Sequence, residues 1–154
     1  MANHGELKVQ RVYSIVRTVC DNAHGNTAGF YGTVTPHSLY KIFSELDVYG
    51  SKFVDCGAGK GIPMGAAMAL GASRVFGFEL PENKANKMIF DAALNRMASK
   101  LHDQSILHRA HFGLQDIMKV FFITSFNSFC NIFHNAFHSM IISIHCIDES
   151  MTNH

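Results

Sequence analysis

Three glycines at alternate positions, Gly57, Gly59 and Gly61, follow Asp55 in the stretch KFVDCGAGKGIPMG, residues Lys52 to Gly65. Glycine has no Cβ and takes positive φ without steric cost, so backbone N–H groups in such a turn can come close to a ligand. Apolar residues run into the turn and a small, apolar stretch leaves it. That is the pattern of a strand, a tight turn and a buried helix. A second acid, Glu79, ends the next apolar run, RVFGFEL. A carboxylate there can accept hydrogen bonds from both hydroxyls of a ribose. The chemistry these residues could do together is the seating of a nucleoside.

The spacing narrows which one. The dinucleotide fingerprint GxGxxG, counted from Gly57, needs a third glycine where the chain has Ile62. The phosphate loop GxxxxGK[ST] fails because Lys60 is followed by Gly61. What is present is DxGxGxG, which matches neither fingerprint. A third acid, Asp116, would follow a third strand and could accept an adenine amino group; an ordinary loop or capping aspartate is the other reading.

The elements that must position these residues follow from the periodicity. Leu7, Val9, Val12, Ile15, Val16 and Val19 are spaced three and four apart, which predicts a helix from Glu6 to about Cys20. DNAHGNTAGFYGTVTP reads as a long loop, and Thr35-Pro36 as a helix cap with a first-turn proline. That helix continues through Leu39, Ile42, Phe43 and Leu46 towards Tyr49-Gly50. A strand over Phe53–Asp55, the glycine turn, a buried helix through IPMGAAMALGAS and a strand ending at Glu79 come next. Pro81 and Glu82 open a helix to about Leu101, with Ala85, Met88, Ile89, Ala92, Ala93 and Met97 inward. Arg109 to Asp116 is the third strand. Two helices followed by strand–helix–strand–helix–strand is the first half of a doubly wound α/β sheet.

At 154 residues one domain is expected, and 47% hydrophobic with 16% charged content suits a globular core. A formal charge of +1 does not by bulk electrostatics force a nucleic-acid partner, and any basic surface must be local. The N-terminus carries no apolar leader, which predicts a protein that is not secreted. Cys20, Cys56, Cys130 and Cys146 include no CxxC pair, so free thiols in a reducing compartment are expected. From Val120 to Ile147 there is no Asp, Glu, Lys or Arg, but six Phe. Asn127, Asn131, His134, Asn135, His138 and His145 are scattered through that run, and their cost in hydrocarbon argues against a membrane span. Buried core strands or helices, or a tail that is not a selected sequence, are the remaining readings. His134 and His138 are four apart, yet no Glu follows the first and no third ligand is evident, so no metal is expected.

DxGxGxG resembles motif I of the Rossmann-like S-adenosylmethionine methyltransferases. The upstream stretch GFYGTVTPHSLYKIF, an extra helix and then FVDCGAGKGI further resemble the Dot (disruptor of telomeric silencing) family of non-SET histone lysine methyltransferases, over roughly Ala28 to Met118. The resemblance implies a three-layer αβα Rossmann-like fold, incomplete at the C-terminus. It divides the chain into N-terminal helices and a Tyr-Gly loop (1–50), a cofactor-binding core (51–119) and an apolar tail (120–154). It implies S-adenosylmethionine as cofactor. It assigns cofactor contacts to Tyr31, Gly32, Thr33 and Val34, then Phe53, Asp55, Cys56, Gly57, Ala58, Gly59, Lys60, Gly61 and Ile62, with Glu79 on the ribose and Asp116 and Ile117 at the adenine. Tyr31 would help position the reactants. The acceptor it implies is a lysine of nucleosomal histone H3, in the nucleus, reached by a monomer with no membrane contact. Weak nucleic-acid contact through Lys84, Lys87, Arg96 and Lys100 fits that picture, although an outer helix face is usually just solvated.

The chain departs from the family at Thr33, which replaces a loop acid, and at Gln115, which replaces a glycine. The family's Asn-Asn-Phe segment has no clear counterpart, and no further strands of a full sheet are evident after Met118. Another class of Rossmann-like methyltransferase, acting in the cytoplasm on other protein, RNA or a small molecule, and a truncated, non-catalytic cofactor-binding domain are the rival readings.

Overall fold

The computed structural model describes residues 3–24, 34–116 and 140–144. In chain order these are α1 (His4–His24), α2 (Pro36–Glu45), β1 (Lys52–Cys56), α3 (Ile62–Ala69), β2 (Arg74–Glu79), α4 (Lys84–Lys100), α5 (Ile106–Arg109), β3 (Ala110–Leu114) and β4 (Met140–Ile144). The four strands form one sheet in the order β3-β2-β1-β4, and every pairing is parallel. This is the α/β, Rossmann-like arrangement expected. The chain winds outwards from β1 through β2 to β3, then adds β4 on the other side of β1, so the order reverses at β1.

The two crossovers β1–α3–β2 and β2–α4–β3 run the same way across the sheet. Right-handed connection therefore puts α3 and α4 on one face. α1 packs against α2, α3 and α4, burying Val9, Val12, Ile15, Val16, Val19 and Cys20. α3 is buried through Ile62, Met64, Gly65, Ala66, Ala67 and Met68, because its small residues let it lie close to both α1 and the sheet. Val12 and Met97 already fill the space beside Gly65: a Cβ there would come within 2.8 Å of Val12. At α2 the Thr35 hydroxyl accepts from Ser38 N–H at 3.2 Å, with Pro36 in the first turn, as the sequence indicates.

Several expectations need correction. α4 begins at Lys84, not at Pro81, and its inward face is Ile89, Phe90, Ala93, Met97 and Ala98. Ala85, Met88 and Ala92 face outwards, Met88 with 72% of its surface exposed. The reason is Phe90, whose ring packs on Phe112 with centroids 5.0 Å apart and lies under Gly61. Seating that ring turns the helix away from the face chosen by its alanines and Met88. Leu7, Ile42 and Leu46 are also exposed. The third strand is shorter than Arg109–Asp116 because Arg109 ends the turn α5 and is used otherwise. Its guanidinium pairs with Asp103 and donates to the Ala72 carbonyl, both at 2.6 Å. Of the readings left open for the charge-free run, a core strand holds at β4, which pairs with β1 from Lys52↔Met140 to Cys56↔Ile144. The run MIISI is apolar and β-branched, but only the free edge of β1 distinguishes it from a buried helix.

Cys20 and Cys56 are free thiols, and Cys130 and Cys146 lie outside the described residues. No helix among the described residues is long and apolar enough to cross a membrane.

Candidate functional site

The glycine turn leaves the carboxyl end of β1, at the point where the strand order reverses. Crevices there are the usual ligand sites of open α/β sheets. Gly57, Gly59 and Gly61 have φ of 86°, 52° and 74°, a region costly for any residue with a Cβ. The turn is pinned to the next strand, since the Phe78 carbonyl accepts from Gly57 N–H at 2.8 Å and from Ala58 N–H at 2.9 Å. Gly61 N–H donates to the Ala58 carbonyl at 2.8 Å, which closes the turn into the start of α3.

The three glycines serve different ends. A Cβ on Gly61 would sit 2.1 Å from the Phe90 ring, so this glycine exists for packing as well as for φ. A Cβ on Gly59 would meet nothing within 4 Å among the described residues. As far as those residues go, Gly59 faces open space, where the backbone can be approached from outside. Beneath the turn Gly77 admits Met64 and Ala58, whose atoms would lie 2.2 and 2.9 Å from a Cβ there.

Glu79 ends β2 and is 6% exposed. Its Oε2 accepts from Gly59 N–H at 2.7 Å. Its Oε1 accepts from Leu80 N–H at 2.8 Å and from the Asn83 side-chain amide at 3.0 Å. The Glu79 carbonyl accepts from Gln115 N–H at 2.8 Å, and Glu79 is in register with Leu114. That register brings Asp116, half-buried just past β3, to the same edge. Asp55 is fully buried one residue before the end of β1. Three acids thus stand at the carboxyl ends of three neighbouring strands, as their order in the sequence requires.

The other expected contacts fall in different places. Cys56, Gly57 and Lys60 are half-buried at the turn, while Ala58 and Ile62 are 3% exposed and support it from the core side. Phe53 is fully buried, its ring edge-on to Phe43 at 5.3 Å, and contributes to the core. Val34 is half-buried and its carbonyl accepts from the Tyr13 hydroxyl, which ties the described end of the Tyr-Gly loop to α1. Tyr31, Gly32, Thr33 and Ile117 lie outside the described residues. So do His134 and His138.

Burial pushes the Cys56 thiol up from its ordinary pKa, and the neighbouring Asp55 charge pushes it further. Burial raises Cys20 as well. Neither thiol is a thiolate nucleophile near neutral pH. Sequence reading missed Asn83, which looked like part of a helix start, and Phe90. The only signal for Asn83 was its place just after the Glu79-Leu80-Pro81 turn. A separate cavity of about 360 Å³, lined by His4, Lys8, Arg11, Met68 and Leu101 among others, shares no residue with the glycine turn.

No protein-family model and no curated protein matches the chain. Among solved structures, it is similar to a Pyrococcus horikoshii protein described as a candidate RNA methyltransferase, with 15% identity and a TM-score of 0.48 over 76% of this chain and 52% of that one. It is similar also to PRMT6 with SAH, at 14% identity and a TM-score of 0.40, over 70% of this chain and 31% of that one. The chain thus spans about half the length of the first and about a third of the second.

Proposed function

We propose that this chain is the cofactor-binding part of an S-adenosylmethionine-dependent methyltransferase. The observation that carries the reading is the contact between Gly59 N–H and Glu79 Oε2. It puts a ribose acceptor directly beside a turn with open space above it. The same contact disfavours a phosphate, because an anion approaching Gly59 would meet a carboxylate already on that N–H. Ile62, buried where a dinucleotide site needs glycine, supports the same exclusion.

The residues fit this cofactor. It has a ribose and adenine but no phosphate, and its sulfonium and ammonium are cations compatible with the acids at the strand ends. When bound it supplies a methyl group on a good leaving group. No protein nucleophile is then required, in keeping with the raised thiols of Cys20 and Cys56. The chain's work is to bind, to orient and to exclude water. Gly59 and Glu79 would hold the ribose, and Asp116 stands where the adenine amino group would lie.

For the acceptor, the reading is a lysine of nucleosomal histone H3. It is supported by the FYGTV stretch before motif I and by the Tyr13–Val34 bond that anchors the end of that loop. Burial in an apolar channel would lower the lysine pKa and supply the neutral amine that transfer needs. The test has two stages. Calorimetric titration with S-adenosylhomocysteine should show binding to the wild type and none to Glu79→Ala. A radiolabelled methyl assay on nucleosomes, free histones, RNA and small molecules should then label nucleosomes. Labelling of RNA alone would reject the Dot-like acceptor. Binding with no labelled acceptor would identify a non-catalytic cofactor-binding domain.

A further inference from the structure

Asn83 stands just before α4, where an asparagine usually turns its side chain onto the first N–H groups of its own helix. It makes no such bond, and its backbone, at φ −88° and ψ 40°, is not in the extended cap conformation. Its amide nitrogen donates instead to Glu79 Oε1 at 3.0 Å. The opposite amide orientation would set oxygen against a carboxylate, so the donor role follows from the partner.

A carboxylate offers about four lone-pair positions. Leu80 N–H and Asn83 take both positions on Oε1, and Gly59 N–H takes one on Oε2. Among the described residues, the position left over is on Oε2, the oxygen over the glycine turn. We infer that Asn83 is a positioning residue: by saturating Oε1 it makes Glu79 present Oε2 to a ribose hydroxyl beside Gly59. This inference rests on the nucleoside reading above and goes beyond it in naming the residue that sets the acceptor's direction. Asn83 is half-buried and Glu79 buried, so water competes only partly for the bond.

Asn83→Asp separates this role from helix capping. Aspartate caps a helix as well as asparagine does, but it donates nothing and sets a second carboxylate against Glu79. The experiment measures binding of S-adenosylhomocysteine and of its 2′,3′-dideoxy analogue to wild type, Asn83→Ala and Asn83→Asp, with Tm for each. Loss of one hydrogen bond to a charged group predicts about tenfold weaker S-adenosylhomocysteine binding for Asn83→Ala, and a larger loss for Asn83→Asp. The dideoxy analogue, which offers Glu79 no hydroxyl, should bind all three proteins equally, and Asn83→Asp should lower Tm because two carboxylates then share the site. Equal weakening of both ligands, wild-type affinity in Asn83→Asp, or tighter S-adenosylhomocysteine binding in Asn83→Ala would overturn the role of Asn83 and leave the nucleoside site standing. Absence of binding to the wild type would reject both.

Discussion

Gly59 and Glu79 are 20 residues apart in sequence and 2.7 Å apart as donor and acceptor. This one bond joins the turn after β1 to the end of β2, and it defines the site from both sides. Glu79→Gln keeps the shape of the side chain but removes the charge and turns one acceptor into a donor. Weaker binding of S-adenosylhomocysteine by roughly tenfold to a hundredfold is expected, the cost of about 1.5–3 kcal/mol for hydrogen bonds to a charged group. Titration calorimetry reads it directly, and a circular dichroism melt checks that the fold survives.

Gly59→Ala and Gly61→Ala should fail in different ways. Both have positive φ, which costs an alanine about 1–2 kcal/mol. At Gly61 the new methyl also meets the Phe90 ring, and overpacking adds about 1–3 kcal/mol. Gly61→Ala should therefore lower Tm sharply, and Phe90→Leu in the same chain should restore part of it. Gly59→Ala should lose ligand binding while keeping most of its stability, because its methyl points into the open space where a ligand approaches. Denaturant melts beside ligand titration separate the two.

Tyr13 holds the Val34 carbonyl, and burial raises its hydroxyl to a pKa of about 12. The sign is that of a group more easily ionised when unfolded. Its contribution is complete below the unfolded value of about 10 and is lost as pH rises towards the folded value. Tm should fall between those pH values in the wild type, and less steeply in Tyr13→Phe. Tyr13→Phe should also cost about 1 kcal/mol at neutral pH, the usual net worth of one hydrogen bond.

Arg109 links the Asp103 carboxylate to the Ala72 carbonyl, and so ties the start of β3 to the turn before β2. The Ser105 hydroxyl, followed by Arg109, holds the Asp103 carboxyl below its usual range. A depressed carboxyl contributes stability above its unfolded value of about 3.9 and loses it as pH falls through the lower folded value. Asp103→Asn should therefore flatten the acid limb of the stability curve. Arg109→Met should cost about 1–3 kcal/mol through the Ala72 carbonyl left without this donor, measured by urea melts.

The glycine turn was legible because its chemistry is local. Three glycines, an acid before them and apolar runs on both sides identify a strand, a turn and a helix wherever they occur. Glu79 was legible for a similar reason, as the acid that ends the next apolar run. The face of α4 was legible only in part. Ile89, Ala93 and Met97 are buried as expected, but Ala85, Met88 and Ala92 share their apolar period, and the Phe90 ring between Gly61 and Phe112 goes with turning those three outwards. β4 was hidden for a different reason, since a charge-free run offers no alternation to separate strand from helix.

The sequence by itself determined the order of elements from α1 to α4, the position of the turn and the mismatch with a dinucleotide fingerprint at Ile62. These depend on steric and hydrogen-bonding properties that each residue carries with it. The tertiary structure decided which donors meet Glu79, that Gly59 faces open space while Gly61 is filled by Phe90, and that Asn83 serves the acid and not its helix. Those facts depend on the parallel register of β1, β2 and β3, which brings residues distant in the chain within a hydrogen bond of each other. No local pattern encodes such a distance, because it is fixed only when the sheet and the helix layer pack together.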